Sequence, residues 1–303
     1  MLDIGSNTGH LLVFDAHGGA APKPAYSYKE PLRLAEHLDS SGAVSDVGVE
    51  ALTSFVASSV MVAEDKGCEE MVGFATSAMR DATNSDEVLG HVREETGVHI
   101  EVLPGEDEAR YTFLAVRRWH GWSAGRLLNL DIGGGSLEIA VGSDETPDIA
   151  QSLPLGAGRL TREHLADGLD QEVVRRLRKR IRADIAHHAG SVLRQAPEHA
   201  VATSKTFRSL ARICGAPSSD AGPLVRRVLD GKALRETIPT LLEMTPDEVG
   251  ELPGVSPSRA HQIVAGALVA DAVLDLFDLV ELEICPWALR EGIILERLDR
   301  LAG

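Results

Sequence analysis

Apolar and polar residues alternate at the start of the chain, in Leu2 to Val13, "LDIGSNTGHLLV", and the same alternation returns in Leu130 to Val141, "LDIGGGSLEIAV". Each stretch reads as a short apolar strand ending in Asp, a glycine-bearing tight turn and a second apolar strand, the pattern of a β-hairpin that opens a domain. The pattern therefore predicts two homologous halves. In the first half, apolar residues at Val49, Leu52, Val56 and Val60 follow Ser45 at helical spacing, so Asp46 to Asp65 is predicted as a helix capped by Ser45. A strand is predicted at Met71 to Ala75. A helix follows Asn84 and Ser85, with acids in its first turn and Gly97 as its stop. Val98 to Leu103 reads as a strand leading through Pro104 and Gly105 into a helix at about 106–118. The glycine-rich stretch 119–125, "WHGWSAG", reads as the hinge between domains 1–118 and 119–303. In the second half Val174, Leu177, Ile181 and Ile185 make a helical stripe within Gln171 to Ala189. The opposite face carries Arg175, Arg176, Arg178, Lys179, Arg180 and Arg182, either a solvated face or a track for a long polyanion.

Composition narrows the setting. With 303 residues the chain is long enough for two ordinary domains. Thirty basic against 46 acidic residues give a net charge of -16, which argues against wrapping duplex DNA or docking on anionic lipid. Any polyanionic ligand must then meet a local basic patch. The scattered Cys68, Cys214 and Cys285 read as core residues in a reducing compartment. No leader pattern is visible, and no uninterrupted apolar run is expected to span a bilayer, so a cytoplasmic protein is expected. Met1 stands only two residues before Asp3, which suggests that the natural start lies upstream.

The candidate chemistry centres on Asp131 to Ser136, "DIGGGS". Residues without a Cβ permit positive φ and let backbone amides line a concavity for phosphate oxygens. Gly133, Gly134, Gly135 and Ser136 are the donors expected in the second hairpin, and Ser6, Asn7 and Thr8 those in the first. A plain tight turn is the competing reading, but it does not call for three glycines behind an Asp. A ligand held by both hairpins belongs in a cleft between the halves. There a carboxylate facing a phosphate at ~4 Å, with an effective dielectric of ~20, costs about 4 kcal/mol. A divalent cation is therefore expected: Mg²⁺, with Mn²⁺ as the variant, on Asp131 and Glu138 with Asp3 as a further ligand. Glu138 as a solvent-facing strand residue is the plainer alternative. In "GEDEAR" one of Glu106, Asp107 and Glu108 can face the cleft as a general base, and an unpaired carboxylate beside phosphate would have its pKa raised. Spacing does not choose among the three.

Seven segments, "LDIGSNTGHLLV", "FATSAMRDATNS", "LPGEDEARYTFL", "LDIGGGSLEIAVG", "LPLGAGRLT", "IVAGALVADAVL" and "WALREGIILERL", occur in an order and spacing that resemble the exopolyphosphatase and guanosine pentaphosphate phosphohydrolase family along nearly the whole chain. Within it the chain is most similar to the short, two-domain actinobacterial type. The resemblance implies an α/β, actin-like fold of duplicated ribonuclease H-like domains, related to sugar kinases and heat-shock ATPases. It also implies that a last helix at about 288–300 packs back on the first domain. By the same resemblance Glu108, which directly precedes Ala-Arg, is the catalytic base, Asp131 and Glu138 are the metal-linked acids, and Arg80 with Ser77 binds phosphate. A surface salt bridge to Asp81 is the plainer reading of Arg80. Lys205 stands where long members have a flexible glycine, and is read as a phosphate contact. Gly9 and His10 depart from the family pattern.

The implied activity is metal-dependent removal of the terminal phosphate of inorganic polyphosphate. Guanosine pentaphosphate hydrolysis, a non-catalytic sensor of guanosine tetra- or pentaphosphate, and a small-molecule kinase are the alternatives. The chain lacks GxxxxGK[ST] and GxGxxG. "LPGVSPSRAHQIVAG" at 252–266 resembles a helix-hairpin-helix, but the net charge speaks against DNA. Arg259 there is expected near the cleft. Adjacent His187 and His188 are expected to point apart on their helix. Dimerisation would extend a binding groove.

Overall fold

The computed structural model describes residues 1–15, 17, 22–166 and 168–302. The first alternation folds as a hairpin of β1 (Leu2–Ile4) and β2 (Thr8–Val13), antiparallel, with Asp3 opposite His10. β3 (Tyr26–Pro31) pairs with β2, and α1 (Asp46–Asp65) follows with the bounds expected from its period. β4 (Gly73–Ala75) is shorter than expected and runs parallel to β1; α2 (Ser77–Asp81) and α3 (Ser85–Thr96) follow it. β5 (Ile100–Val102) completes a five-stranded sheet in the order β3-β2-β1-β4-β5, before α4 (Gly105–His120).

The second alternation repeats this plan. β6 (Leu127–Ile132), β7 (Leu137–Gly142) and β8 (Ile149–Leu153) form an antiparallel meander. α5 (Ala157–His164) and α6 (Gln171–Arg194) lead to β9 (His199–Ala202), parallel to β6, and then to α7 (Ser204–Ile213). β10 (Val228–Asp230), α8 (Gly231–Glu243), α9 (Pro246–Gly250) and α10 (Ile263–Leu276) precede β11 (Glu281–Ile284) and α11 (Leu289–Ala302). The sheet order is β10-β11-β9-β6-β7-β8, with β11 parallel to β9 and β10 an antiparallel edge. Without β10 this is the first sheet again, strand for strand. Two copies of this order make the duplicated ribonuclease H-like, actin-like fold that the family resemblance implied, with the two halves that the repeat predicted.

Two compact units result, one of residues 1–108 with 293–303 and one of 109–292; they part inside α4 and inside α11. In the first, Leu2, Ile4 and Leu11 pack with Leu52, Phe55 and Val56 of α1. In the second, Leu128, Leu130, Ile132, Ile139 and Val141 meet the predicted stripe of α6, with α10 buried along almost its whole length. The other face of that sheet, through Leu127, Ala140 and Val201, packs on Ala109, Phe113 and Val116 of α4. Each large apolar side chain so buried contributes about 1.5–3 kcal/mol.

Several expectations are corrected. Ser45 makes no side-chain cap on α1, and Asn84 spends its amide on the backbone of Val44 at 2.8 and 3.0 Å. By length and composition α1 is apolar enough to cross a membrane, although Glu50 and its Ser and Thr residues interrupt the apolar run, and Leu52, Phe55 and Val56 pack it into the core of its unit. The His187 and His188 rings meet edge to face with centroids 5.0 Å apart rather than pointing apart. On the basic face of α6, Arg175 pairs with Glu172, Arg180 lies near Asp184 and Arg182 reaches Asp275 at 2.7 Å, which favours a solvated, acid-balanced surface. The stretch 119–125 is tied down. Buried Arg117 donates to the carbonyls of Gly121, Gly125 and Gly142.

Candidate functional site

In the first unit α2 and the start of α4 bring Arg80 and Glu108 together. The guanidinium Nη1 donates to Glu108 Oε1 in a close ion pair and to the carbonyl of Leu103 at 2.9 Å. Glu108 is only 8% exposed. It is therefore not the unpaired carboxylate expected, because desolvating a lone charge costs far more than desolvating a paired one. Arg80 thus forms an ion pair with Glu108 across 28 positions of the chain. Ser6 and Ser77, both buried, meet at 2.9 Å between hydroxyl oxygens. The Ser6–Thr8 turn is closed by the Gly5 amide donating to Thr8 O, while the Asn7 carbonyl accepts from Leu32 and Arg33. Asp3 lies on β1 opposite His10, whose ring bonds Ser27. Gly9 is dictated by packing: a Cβ there would come within 2.5 Å of Phe55.

In the second unit Asp131 and Glu138 stand directly opposite each other across β6 and β7. Like charges so placed repel, with Cβ atoms ~5 Å apart. Glu138 is 3% exposed, so it is not the solvent-facing strand residue of the plainer reading, and its Oε1 accepts from Ser152 of β8 at 2.9 Å. Asp131 Oδ2 accepts from Thr203 Oγ1 at 2.5 Å. Burial raises the Asp131 pKa, opposed by the Thr203 hydroxyl and the charges of Arg208 and Arg259. Two hard carboxylates, fixed by neutral hydroxyl donors and facing one another, are a donor set that fits Mg²⁺ or Mn²⁺.

The glycine turn between them differs from expectation in its backbone. None of Gly133, Gly134 and Gly135 has positive φ. Close approach is what the turn serves. The Gly133 amide donates to Ser136 O; the carbonyls of Gly133 and Gly134 accept from Ala157 and Arg159 at the start of α5, and Arg159 Nε holds the Gly135 carbonyl at 2.9 Å. A Cβ on Gly156 would sit 2.2 Å from the Gly135 carbonyl carbon. With its carbonyls committed to α5, the turn directs its remaining amide hydrogens elsewhere.

Sequence reasoning missed Thr203, Ser152, Arg208 and Arg290. Thr203 had a signal: "ATS" follows β4 at 75–77 and β9 at 202–204, each time with the Thr preceding a helix. Register differs, since Ala75 pairs with Ile4 whereas Ala202 pairs with Leu130, two residues earlier in the aligned hairpins. Arg208, Arg259 and Arg290 converge electrostatically: burial lowers the pKa of Arg208 and Arg259, Arg290 lowers both further, and Asp131 opposes. Arg208 and Arg259 act on the Asp131 carboxylate and Arg290 acts on both of them, a local basic patch of the kind an acidic protein needs for a polyanion. Lys205 lies exposed in the first turn of α7.

Comparison with known proteins places these observations. The profile of the Ppx/GppA phosphatase family matches residues 12–301. Exopolyphosphatase 1 of Mycobacterium tuberculosis H37Rv is 56% identical over 301 residues, covering 99% of this chain and 88% of that protein. Exopolyphosphatase 1 of Mycobacterium leprae is 52% identical over the same length. Among solved structures, an exopolyphosphatase from Cytophaga hutchinsonii superposes with a TM-score of 0.87 at 21% identity, covering 99% of this chain and 97% of that one.

Proposed function

Because the chain belongs to the Ppx/GppA phosphatase family, we propose that it is an exopolyphosphatase releasing the terminal phosphate of linear inorganic polyphosphate, with Glu108 as the base. The observation that carries the assignment of the base is the ion pair of Arg80 with the buried Glu108. A planar guanidinium prefers to grip a phosphate through two parallel hydrogen bonds. When the terminal phosphate takes Arg80, the ion pair opens and Glu108 is left to accept a proton from water. The water oxygen then bonds to the terminal phosphorus as the bridging P–O bond breaks and the shortened chain leaves. Within the first unit Ser6, Asn7, Thr8 and Ser77 are the groups that orient phosphate oxygens, and within the second the amides of Gly133, Gly134, Gly135 and Ser136 are. Lys205, with Arg208, Arg259 and Arg290, attracts the chain. Mg²⁺, or Mn²⁺, would neutralise phosphate charge when held by Asp131 and Glu138. A cytoplasmic setting accords with three cysteines that are all free thiols.

Glu108→Gln tests the base. Phosphate release is expected to fall about 10²–10⁴-fold while polyphosphate still binds; near-normal turnover would remove the assignment. A guanosine-5'-triphosphate,3'-diphosphate pyrophosphatase of Aeromonas hydrophila is 27% identical, and this chain spans 58% of its length. Short polyphosphate, long polyphosphate and guanosine pentaphosphate should therefore be assayed together. Faster release from the nucleotide would replace polyphosphate as the substrate.

A further inference from the structure

At the other end of β6 from Asp131, a second cluster of ligand-type side chains gathers. His120 ends α4, His199 begins β9 and Glu283 lies on β11. His199 pairs with Leu127, four residues before Asp131 on β6 and so roughly 13 Å along the sheet, while Glu283 pairs with Val201, level with Asn129 and roughly 7 Å along it. One donor atom from each of the three residues falls within 4.8 Å of the others, and the two imidazole rings meet with centroids 5.1 Å apart.

Two details separate this cluster from an ordinary ion pair. His120 Nε2 is buried and finds no hydrogen-bond partner. An orphaned ring nitrogen is uncommon, because it loses its water without replacement. His199 Nε2 and Glu283 Oε2 are 3.4 Å apart, beyond a good hydrogen bond. Donors ~2.0–2.1 Å from a tetrahedral ion stand about 3.3 Å from each other, which is that spacing. Arg226 also donates to Glu283 Oε2 at 3.2 Å, but its shorter bond is to Glu281 at 2.6 Å, so it keeps a partner when Glu283 turns to a cation. Burial lowers the His120 pKa.

We infer that His120, His199 and Glu283 form a Zn²⁺ site distinct from the Asp131–Glu138 pair, two imidazoles and a carboxylate taking three tetrahedral positions and water the fourth. The bound ion joins the end of α4 to two strands of the central sheet.

The test titrates chelator-stripped full-length protein with Zn²⁺ against a chromophoric indicator. Asp131→Asn and Glu138→Gln together supply the background, so that the carboxylate pair contributes no binding. One Zn²⁺ per chain is expected, with affinity falling at least tenfold on adding His120→Asn or His199→Asn. Zn²⁺ should raise the unfolding temperature of the background protein and lose that effect in both histidine variants. Should either variant fold poorly, Glu283→Gln reports the same loss, and Co²⁺ in the unaltered cluster should give the intense visible bands of tetrahedral coordination. No saturable Zn²⁺ binding in the background, or affinity unchanged by both histidine substitutions, would overturn the site. Polyphosphate hydrolysis is a separate readout, so either conclusion can fail without the other.

Discussion

Asp131 carries two opposed demands: its carboxylate is desolvated, yet the proposed chemistry needs it ionised. A folded-state pKa raised above the ordinary 3.8 means that the native protein holds a proton more tightly than the unfolded chain. That contribution to stability is present below the ordinary value and is lost as pH rises through the raised one. At neutral pH the ionised group therefore weakens the fold. Asp131→Asn is expected to raise the unfolding temperature of the metal-free protein at pH 7, read by calorimetry, and to abolish phosphate release when metal is supplied, read by a phosphate assay. Thr203→Val removes the hydroxyl that stabilises the charged form, a bond of about 1.5–3 kcal/mol for an ionised acceptor. Turnover should drop tenfold or more with the fold retained by circular dichroism. The motif around Asp131 made the residue itself legible, as did Glu138 two residues past the turn's Ser136. The hydroxyl contacts were not legible, because Ser152 on β8 and Thr203 just past β9 are brought beside the carboxylates only by strand pairing.

Among the elements, the glycine turn and the start of α5 act as one piece. Carbonyls of Gly133, Gly134 and Gly135 are all bound by residues 157 and 159, and Gly156 passes within van der Waals distance of the turn backbone. Gly156→Ala is expected to cost about 1–3 kcal/mol in urea unfolding and to lower turnover further than stability, since the turn must shift to admit the methyl. A Gly156→Ala protein with unchanged turnover would show that the turn does not orient substrate. Periodicity placed α1 and α6 because each carries its own apolar stripe, while signals at their ends placed α3 and α4. It read β4 and β5 too long: their flanks are apolar in sequence, but only three residues of each find a pairing partner. Left-handed glycines were expected at 133–135, whereas the left-handed glycine that did matter for an element, Gly97 at φ +73, ends α3 as its position promised.

In the whole molecule, duplication is plain in the backbone and broken in the chemistry. Both sheets run 3-2-1-4-5 around an Asp-Ile-Gly hairpin, yet the position of Glu138 is held in the first unit by His10. The chain's last segment belongs to the first unit from Ile293 onward, with Arg297 paired to Glu70 and Ile294, Leu295 and Leu298 buried. Removing residues 293–303 is expected to cost about 5 kcal/mol or more by exposing their burial sites, comparable with the whole stability of a domain. Loss of cooperative unfolding in the truncated protein checks this. The sequence by itself determined the two hairpins, the amphipathic helices and the acids at the turns, since these follow from local periodicity and from residues adjacent along the chain. Only the tertiary structure decided that Arg80 holds Glu108, that Thr203 and Ser152 fix the paired carboxylates, and that His120, His199 and Glu283 converge. Those partners are separated by 14 to 163 positions, and strand order and register, set by packing the whole core, are what bring them within reach.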